Sequence, residues 1–122
     1  MNKELRLRVY NKYKGHCAYC GCKLEYKDMQ VDHIKPLARG QTPTLRKMMG
    51  IEIGDDSFKN LNPACRACNF RKGMLTIEEF RQAILGGLKV LERNFTYRLM
   101  HKYHLIEFGK SKVKFYFERN KK

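Results

Sequence analysis

No apolar run in this chain approaches the roughly 18 residues that a membrane-spanning helix needs. The longest, Ala83 to Leu91, is short and is interrupted by Gly86, Gly87 and Lys89, so no partnership with a membrane is expected. Acidic residues are scarce as well: 12 Asp and Glu stand against 26 Lys and Arg, a formal net charge of +14 with a pI near 9.8. A cation of this size attracts polyanions, and nucleic acid is the commonest of them. The charges of Met1 to Arg6 are followed by no apolar stretch, so no secretory signal is expected and a reducing cytoplasm is the expected location. Internal repeats are missing, and so is any helix-turn-helix pattern that would assign readers of the major groove. What remains is a chain of 122 residues, a size at which one domain buries its surface with only moderate efficiency and a structural metal helps.

The periodicity of the apolar residues outlines the elements. Leu5, Val9 and Tyr13 recur four apart while Lys3, Arg6, Arg8 and Lys12 take the other faces, which predicts a short amphipathic helix over 3–13 that ends at Gly15. Lys23 to Tyr26 and Gln30 to Ile34 read as two short strands, the second running into Pro36. From Gln41 to Gly54 the pattern is that of a loop with one helical turn, whose Leu45, Met48, Met49 and Ile51 are expected on the core. Asp55 to Asn62 is turn-like, and Cys65 to Lys72 suits the start of a helix. Thr76 and Glu79 have the spacing of a capping box, followed by Ile77, Phe80, Ile84, Leu88 and Leu91 at steps of three and four, so a long amphipathic helix begins at Thr76. Gly86-Gly87 weakens it by roughly 1 kcal/mol per residue relative to alanine, inviting a kink or a close helix contact. Last, Leu105 to Phe108 and Lys112 to Glu118 flank Gly109-Lys110-Ser111, and the alternation of Val113, Phe115 and Phe117 predicts a β-hairpin with its aromatics in the core. The fold class is α+β.

Four of the five cysteines form two Cys-x-x-Cys pairs, Cys17 with Cys20 and Cys65 with Cys68. In a reducing compartment such pairs are metal ligands before they are disulfides, with free or redox thiols the alternative. A two-residue spacer lets both sulfurs of a knuckle reach one ion, and two knuckles complete a tetrahedral zinc site with bonds of about 2.3 Å. A site closed in this way folds the chain and does not react. Cys22 is left as a small free thiol, and His16 is a less favoured ligand beside four cysteines. His101 and His104 lie three apart, and a second metal site there is a less favoured reading. The stretch between Cys20 and Cys65 far exceeds the roughly 15 to 20 residues of a compact four-cysteine finger, so something sizeable is mounted on the zinc frame.

That stretch carries Asp32 and His33, side-chain types that suit hydrolysis of a phosphodiester. The reaction needs an activated water, a counter-charge for the leaving oxygen and a grip on the phosphate. His33 can take a proton near neutral pH and is the candidate general base. Asp32 offers a hard oxygen ligand, although neighbours on a strand point to opposite faces and the two cannot share one job unless the strand bends or ends there. Arg66, Arg71 and Lys72 flank the second knuckle and either hold phosphates or are solvated charge.

Cys17-x-x-Cys20-Gly21, Val31-Asp32-His33-Ile34-x-Pro36-Leu37, Asn60-Leu61 and Cys65-x-x-Cys68-Asn69-x-x-Lys72 occur in this order over residues 10–75. Together they resemble the HNH endonuclease family in its zinc-bearing branch. The resemblance implies a ββα-metal, treble-clef-like core over 1–75 with a structural zinc, and an extension over 76–122 of helix plus hairpin packed on it. In that core a hairpin carrying Asp32 and His33 lies on the helix carrying Asn69. It also implies that Asp32 and Asn69 bind a catalytic divalent ion, Mg2+, Mn2+, Ni2+ or Zn2+, and that Asn60 fastens the loop and orients His33. Asn69 stands where the founding pattern has histidine; an amide oxygen also binds a hard cation. The expected activity is metal-dependent cleavage of duplex DNA, leaving 5′ phosphate and 3′ hydroxyl ends. Two other readings are a zinc-dependent DNA-binding module that never cleaves and an accessory protein whose extension from Thr76 binds a partner. Likeness to compact phage proteins implies a terminase as that partner, in a bacterial or phage-infected host cell.

Overall fold

The computed structural model describes residues 1–37, 42–50, 53–107, 109 and 112–119. Helix α1 (Lys3–Asn11) is capped by Asn2, whose side chain accepts the Leu5 amide, and it buries Val9 completely. Lys12, just beyond it, donates to the carbonyls of Phe58 and Leu61 at 3.2 and 2.7 Å, tying the end of α1 to a segment far along the chain. Gly15 has φ +80°, and a Cβ there would meet the Tyr10 hydroxyl at 3.0 Å, so the turn into the first knuckle requires glycine.

The sheet has two antiparallel strands, β1 (Gln30–His33) and β2 (Leu61–Ala64), in the register Gln30↔Ala64, Asp32↔Asn62, His33↔Leu61. The expected partner of β1 was Lys23–Tyr26. That segment instead makes a single bridge, Lys23 to His16, and then a 3-10 turn at Tyr26–Asp28. The true partner reads poorly as a strand because Asn62 and Pro63 are weak strand formers. Burial overrides this: all four β2 residues are inside. In a two-stranded sheet each strand is also an edge, where a proline is tolerated.

Helix α2 (Pro43–Met49) lies in the region expected to be a loop with one turn, and its apolar residues do not join the core: Met48 is 79% exposed and Leu45 and Met49 are exposed too. Ile51 lies outside the described residues. Helix α3 (Arg66–Lys72) takes Cys65 as its N-cap, so the second knuckle and the helix form one unit. The predicted capping box is present at α4 (Ile77–Glu92), with Thr76 and Glu79 bonded reciprocally at 2.9 and 3.2 Å. Helix α4 continues through Gly86 and Gly87, where an added Cβ would touch nothing, so no close contact occupies that point. Asn94 then caps α5 (Phe95–Lys102), which the sequence pattern did not reveal.

The expected C-terminal hairpin is not formed by the described residues, among which no strand occurs beyond β2; Phe108 lies outside them. A short helix α6 (Tyr116–Arg119) stands where the second strand was predicted. Its backbone bonds explain why. The Tyr116 and Phe117 amides donate to the carbonyls of Tyr19 and Ala18 at 3.0 and 2.7 Å, and Glu118 accepts from the Phe115 amide and from Arg81. The aromatic alternation therefore serves a cluster and not a sheet: Phe115 is buried, stacked on Phe80 at 5.1 Å and edge-on to Tyr19 at 5.4 Å. Offset and edge-on pairs of this kind add to the area term of burial. No helix among the described residues is long and apolar enough to cross a membrane.

Candidate functional site

The two knuckles converge. The sulfurs of Cys17, Cys20, Cys22 and Cys65 all lie within 4.8 Å of one another, with Cys20 and Cys65 at 3.9 Å. Cys68 donates its amide to the Cys65 sulfur at 3.4 Å, but its own sulfur does not belong to that mutually close set. A tetrahedron of 2.3 Å bonds places sulfurs roughly 3.8 Å apart, so this spacing fits a zinc ion. The thiol chemistry fits it too. The hydrogen bond from Cys68 draws Cys17 down to about 4, and the resulting charge, with burial, pushes Cys68 up. Burial is the first cause that raises Cys20 and that takes Cys22 to about 12. The sequence named Cys17, Cys20, Cys65 and Cys68; it missed Cys22, whose position two residues after Cys20 was the available signal.

Strand β1 divides its two acting residues between two faces, as alternation requires. Asp32 points inward and is 3% exposed. Lys72, with no exposed surface, brings its ammonium to the two Asp32 oxygens at 3.2 and 3.1 Å and donates to the His33 carbonyl at 2.7 Å. Tyr19 donates its hydroxyl to Asp32 and receives the Asn62 amide at 3.4 Å. Burial raises the Asp32 carboxyl, opposed by Tyr19 and Lys72, and burial next to Asp32 raises the Tyr19 phenol. Lys72 was expected to be able to hold a phosphate; the structure uses its charge inside, on Asp32 and the end of β1.

On the other face His33 meets a residue the sequence did not single out. Its Nε2 lies 2.7 Å from Oδ1 of Asp56, which is largely exposed. Asn60 fixes the surrounding loop through three bonds: its Oδ1 accepts the Lys35 amide at 2.8 Å, and its Nδ2 donates to the carbonyls of Lys35 and Asp55 at 3.0 and 2.8 Å. By holding Asp55 it places Asp56. Gly54 completes the clamp: a Cβ there would sit 1.7 Å from the Lys35 oxygen and 2.5 Å from Nδ2 of Asn60. Asn69 is half-buried on α3, and Arg66 and Arg71 on the same helix are exposed.

Residues 17–74, from the first knuckle to the end of α3, match the family model of HNH endonuclease. The chain carries an HNH domain. Among solved structures it is similar to the Type II-C Cas9 enzyme from Actinomyces naeslundii, with 26% identity and a TM-score of 0.50 over 64% of this chain and 8% of that one. The chain thus spans less than a tenth of that protein. No curated protein matches it. The family and this likeness support a function of the nuclease type.

The HNH domain accommodates its two expected metals unequally. The four clustered thiols suit a structural ion. The Asp32 oxygens already accept from Lys72 and Tyr19, so a divalent ion there would share the carboxylate with both. Asn69 comes from the helix that also delivers Lys72, so the ion expected from the resemblance would compete with that ammonium.

Proposed function

We propose that the HNH domain hydrolyses phosphodiester bonds of duplex DNA, with His33 as general base. The observation that carries this reading is the hydrogen bond between His33 and Asp56. An ionised carboxylate only accepts, so the proton lies on Nε2 and the lone pair of Nδ1 is free to take a proton from water. The water oxygen then attacks phosphorus, the bond to the 3′ oxygen breaks and that oxygen takes a proton from solvent, so the products carry 5′ phosphate and 3′ hydroxyl ends, and the imidazolium returns its proton to solvent. Asp56 sets the tautomer and supports the imidazolium that forms. Asn60 holds the loop that bears Asp56, and Lys72 anchors the backbone of His33 through its carbonyl.

Arg66 and Arg71 are the candidate phosphate contacts; their exposure on α3 and the charge of +14 support that role. Affinity should fall steeply with salt, by about 0.9 in the log–log slope per phosphate neutralised. Zinc on the cysteines would fix the knuckles and with them α3. The extension over 76–122 is read as a brace, since Phe80 and Phe115 pack on Tyr19 of the first knuckle. No catalytic step is routed through a divalent ion. Its contribution is measured directly by incubating supercoiled plasmid with the zinc-loaded protein in Mg2+, Mn2+, Ni2+ or Zn2+, and without added ion. Nicked or linear product with 5′ phosphate ends is expected. A folded protein that binds the plasmid and leaves it intact in every ion would instead be a DNA-binding module.

A further inference from the structure

We propose that the fourth position of the structural zinc is shared by Cys22 and Cys68, with Cys17, Cys20 and Cys65 common to both arrangements. The inference rests on the zinc reading above and goes beyond the two-knuckle ligand set. Tetrahedral zinc takes four ligands, and this chain brings four sulfurs together with a fifth, that of Cys68, on the adjoining turn of α3, so one is left over. The Cys22 sulfur lies within 4.8 Å of those of Cys17, Cys20 and Cys65. The backbone holds it there: the Cys22 carbonyl accepts the Cys17 amide at 2.8 Å, and the Lys23–His16 bridge closes the turn behind it. Cys68 is seated in the first turn of α3 with its amide on the Cys65 sulfur at 3.4 Å, three residues along the chain from a ligand common to both arrangements.

The two arrangements tie the chain differently. With Cys68 bound, the ion grips the first turn of α3, one residue from Asn69. With Cys22 bound, three ligands come from the first knuckle and α3 is held through its cap, Cys65, alone.

The test uses the full chain with zinc or with Co2+ as its spectroscopic stand-in, comparing wild type, Cys22→Ser, Cys68→Ser and the double variant. Each single variant is expected to hold one ion and to keep the charge-transfer and d–d bands of four thiolates. The double variant should show a three-thiolate spectrum and bind the metal about 100-fold more weakly. A four-thiolate spectrum lost in Cys68→Ser and intact in Cys22→Ser makes Cys22 a bystander and overturns the proposal. The reverse pattern overturns it as well, and so does loss in both single variants. Limited alkylation of the zinc-loaded wild type needs no variant: label should fall on Cys22 or Cys68, one per molecule, and spare the other three cysteines. Label confined to one of the two contradicts sharing. A wild-type chain that binds no ion would fail at the zinc reading itself, before the question of the fourth ligand arises.

Discussion

The two faces of β1 carry two pairs of opposite character. Inside, Asp32 and Lys72 are both buried and the ammonium also holds the His33 carbonyl. Outside, His33 and Asp56 meet at 2.7 Å, with the Asp56 side chain 77% exposed and that of His33 26% exposed. A buried pair is costly to break and gives little access, whereas an exposed pair adds little stability and is open to water and substrate. The inner pair positions the strand end, and the outer pair is the one to which we assign proton transfer in the proposed reaction. The sequence reading singled out Asp32 and gave Asp56 no role; the structure pairs His33 with Asp56.

The largest effect expected from breaking this arrangement is that of Lys72→Ala. It leaves Asp32 buried without its counter-charge and should destabilise the fold by about 3–5 kcal/mol in chemical denaturation. The pH dependence follows from the Asp32 carboxyl, which burial already raises above its ordinary 3.8. A folded state with the higher carboxyl pKa holds its proton more tightly than the unfolded chain, so it gains relative stability as the pH falls through that raised value. The deficit of Lys72→Ala should therefore narrow in acid. A deficit that widens would contradict the placement of Asp32.

Gly54→Ala ranks next, because the new methyl cannot coexist with the Lys35 carbonyl and the Asn60 amide. Overpacking of this kind costs about 1–3 kcal/mol. It should also reduce cleavage by releasing the loop that bears Asp56; full activity in a folded Gly54→Ala protein would separate the clamp from the site. Asp56→Asn then sharpens the contrast from the outer side. It should leave the melting temperature unchanged and slow cleavage about tenfold or more, the cost of losing the tautomer that exposes Nδ1. Equal loss of stability in Asp56→Asn and Lys72→Ala would erase the difference between the faces.

The smallest effect is expected from Glu118→Gln, a control away from β1. Hydrogen bonds from Arg81 hold the Glu118 carboxyl below its ordinary 4.5. Its contribution is fully present above 4.5 and is lost as the pH falls through the lowered value, so variant and wild type should converge in stability at acid pH.

Much of this was legible in the sequence where local chemistry decides the outcome. The capping box at Thr76, the helix start at the second knuckle and the two cysteine knuckles depend on residues a few positions apart. What escaped depends on distant partners. β2 forms from Leu61 to Ala64, despite Pro63, because β1 and the core cover it. The C-terminal aromatics enter a cluster with Tyr19 and Phe80 in place of a hairpin, since their backbone bonds go to the first knuckle. Lys72 looked like any basic residue at a helix end until its partner, 40 positions away, was placed. Asp56 lacked any local signal beyond acidity in a turn.

The account depends most on His33 acting as the base on the open face of β1. Single-turnover cleavage of duplex DNA by wild type and His33→Ala tests it directly, with zinc content and DNA affinity measured on the same samples. The account predicts a rate lower by about 10²–10⁴ in the variant, with zinc and affinity unchanged. Cleavage at the wild-type rate by a zinc-loaded His33→Ala protein would contradict it.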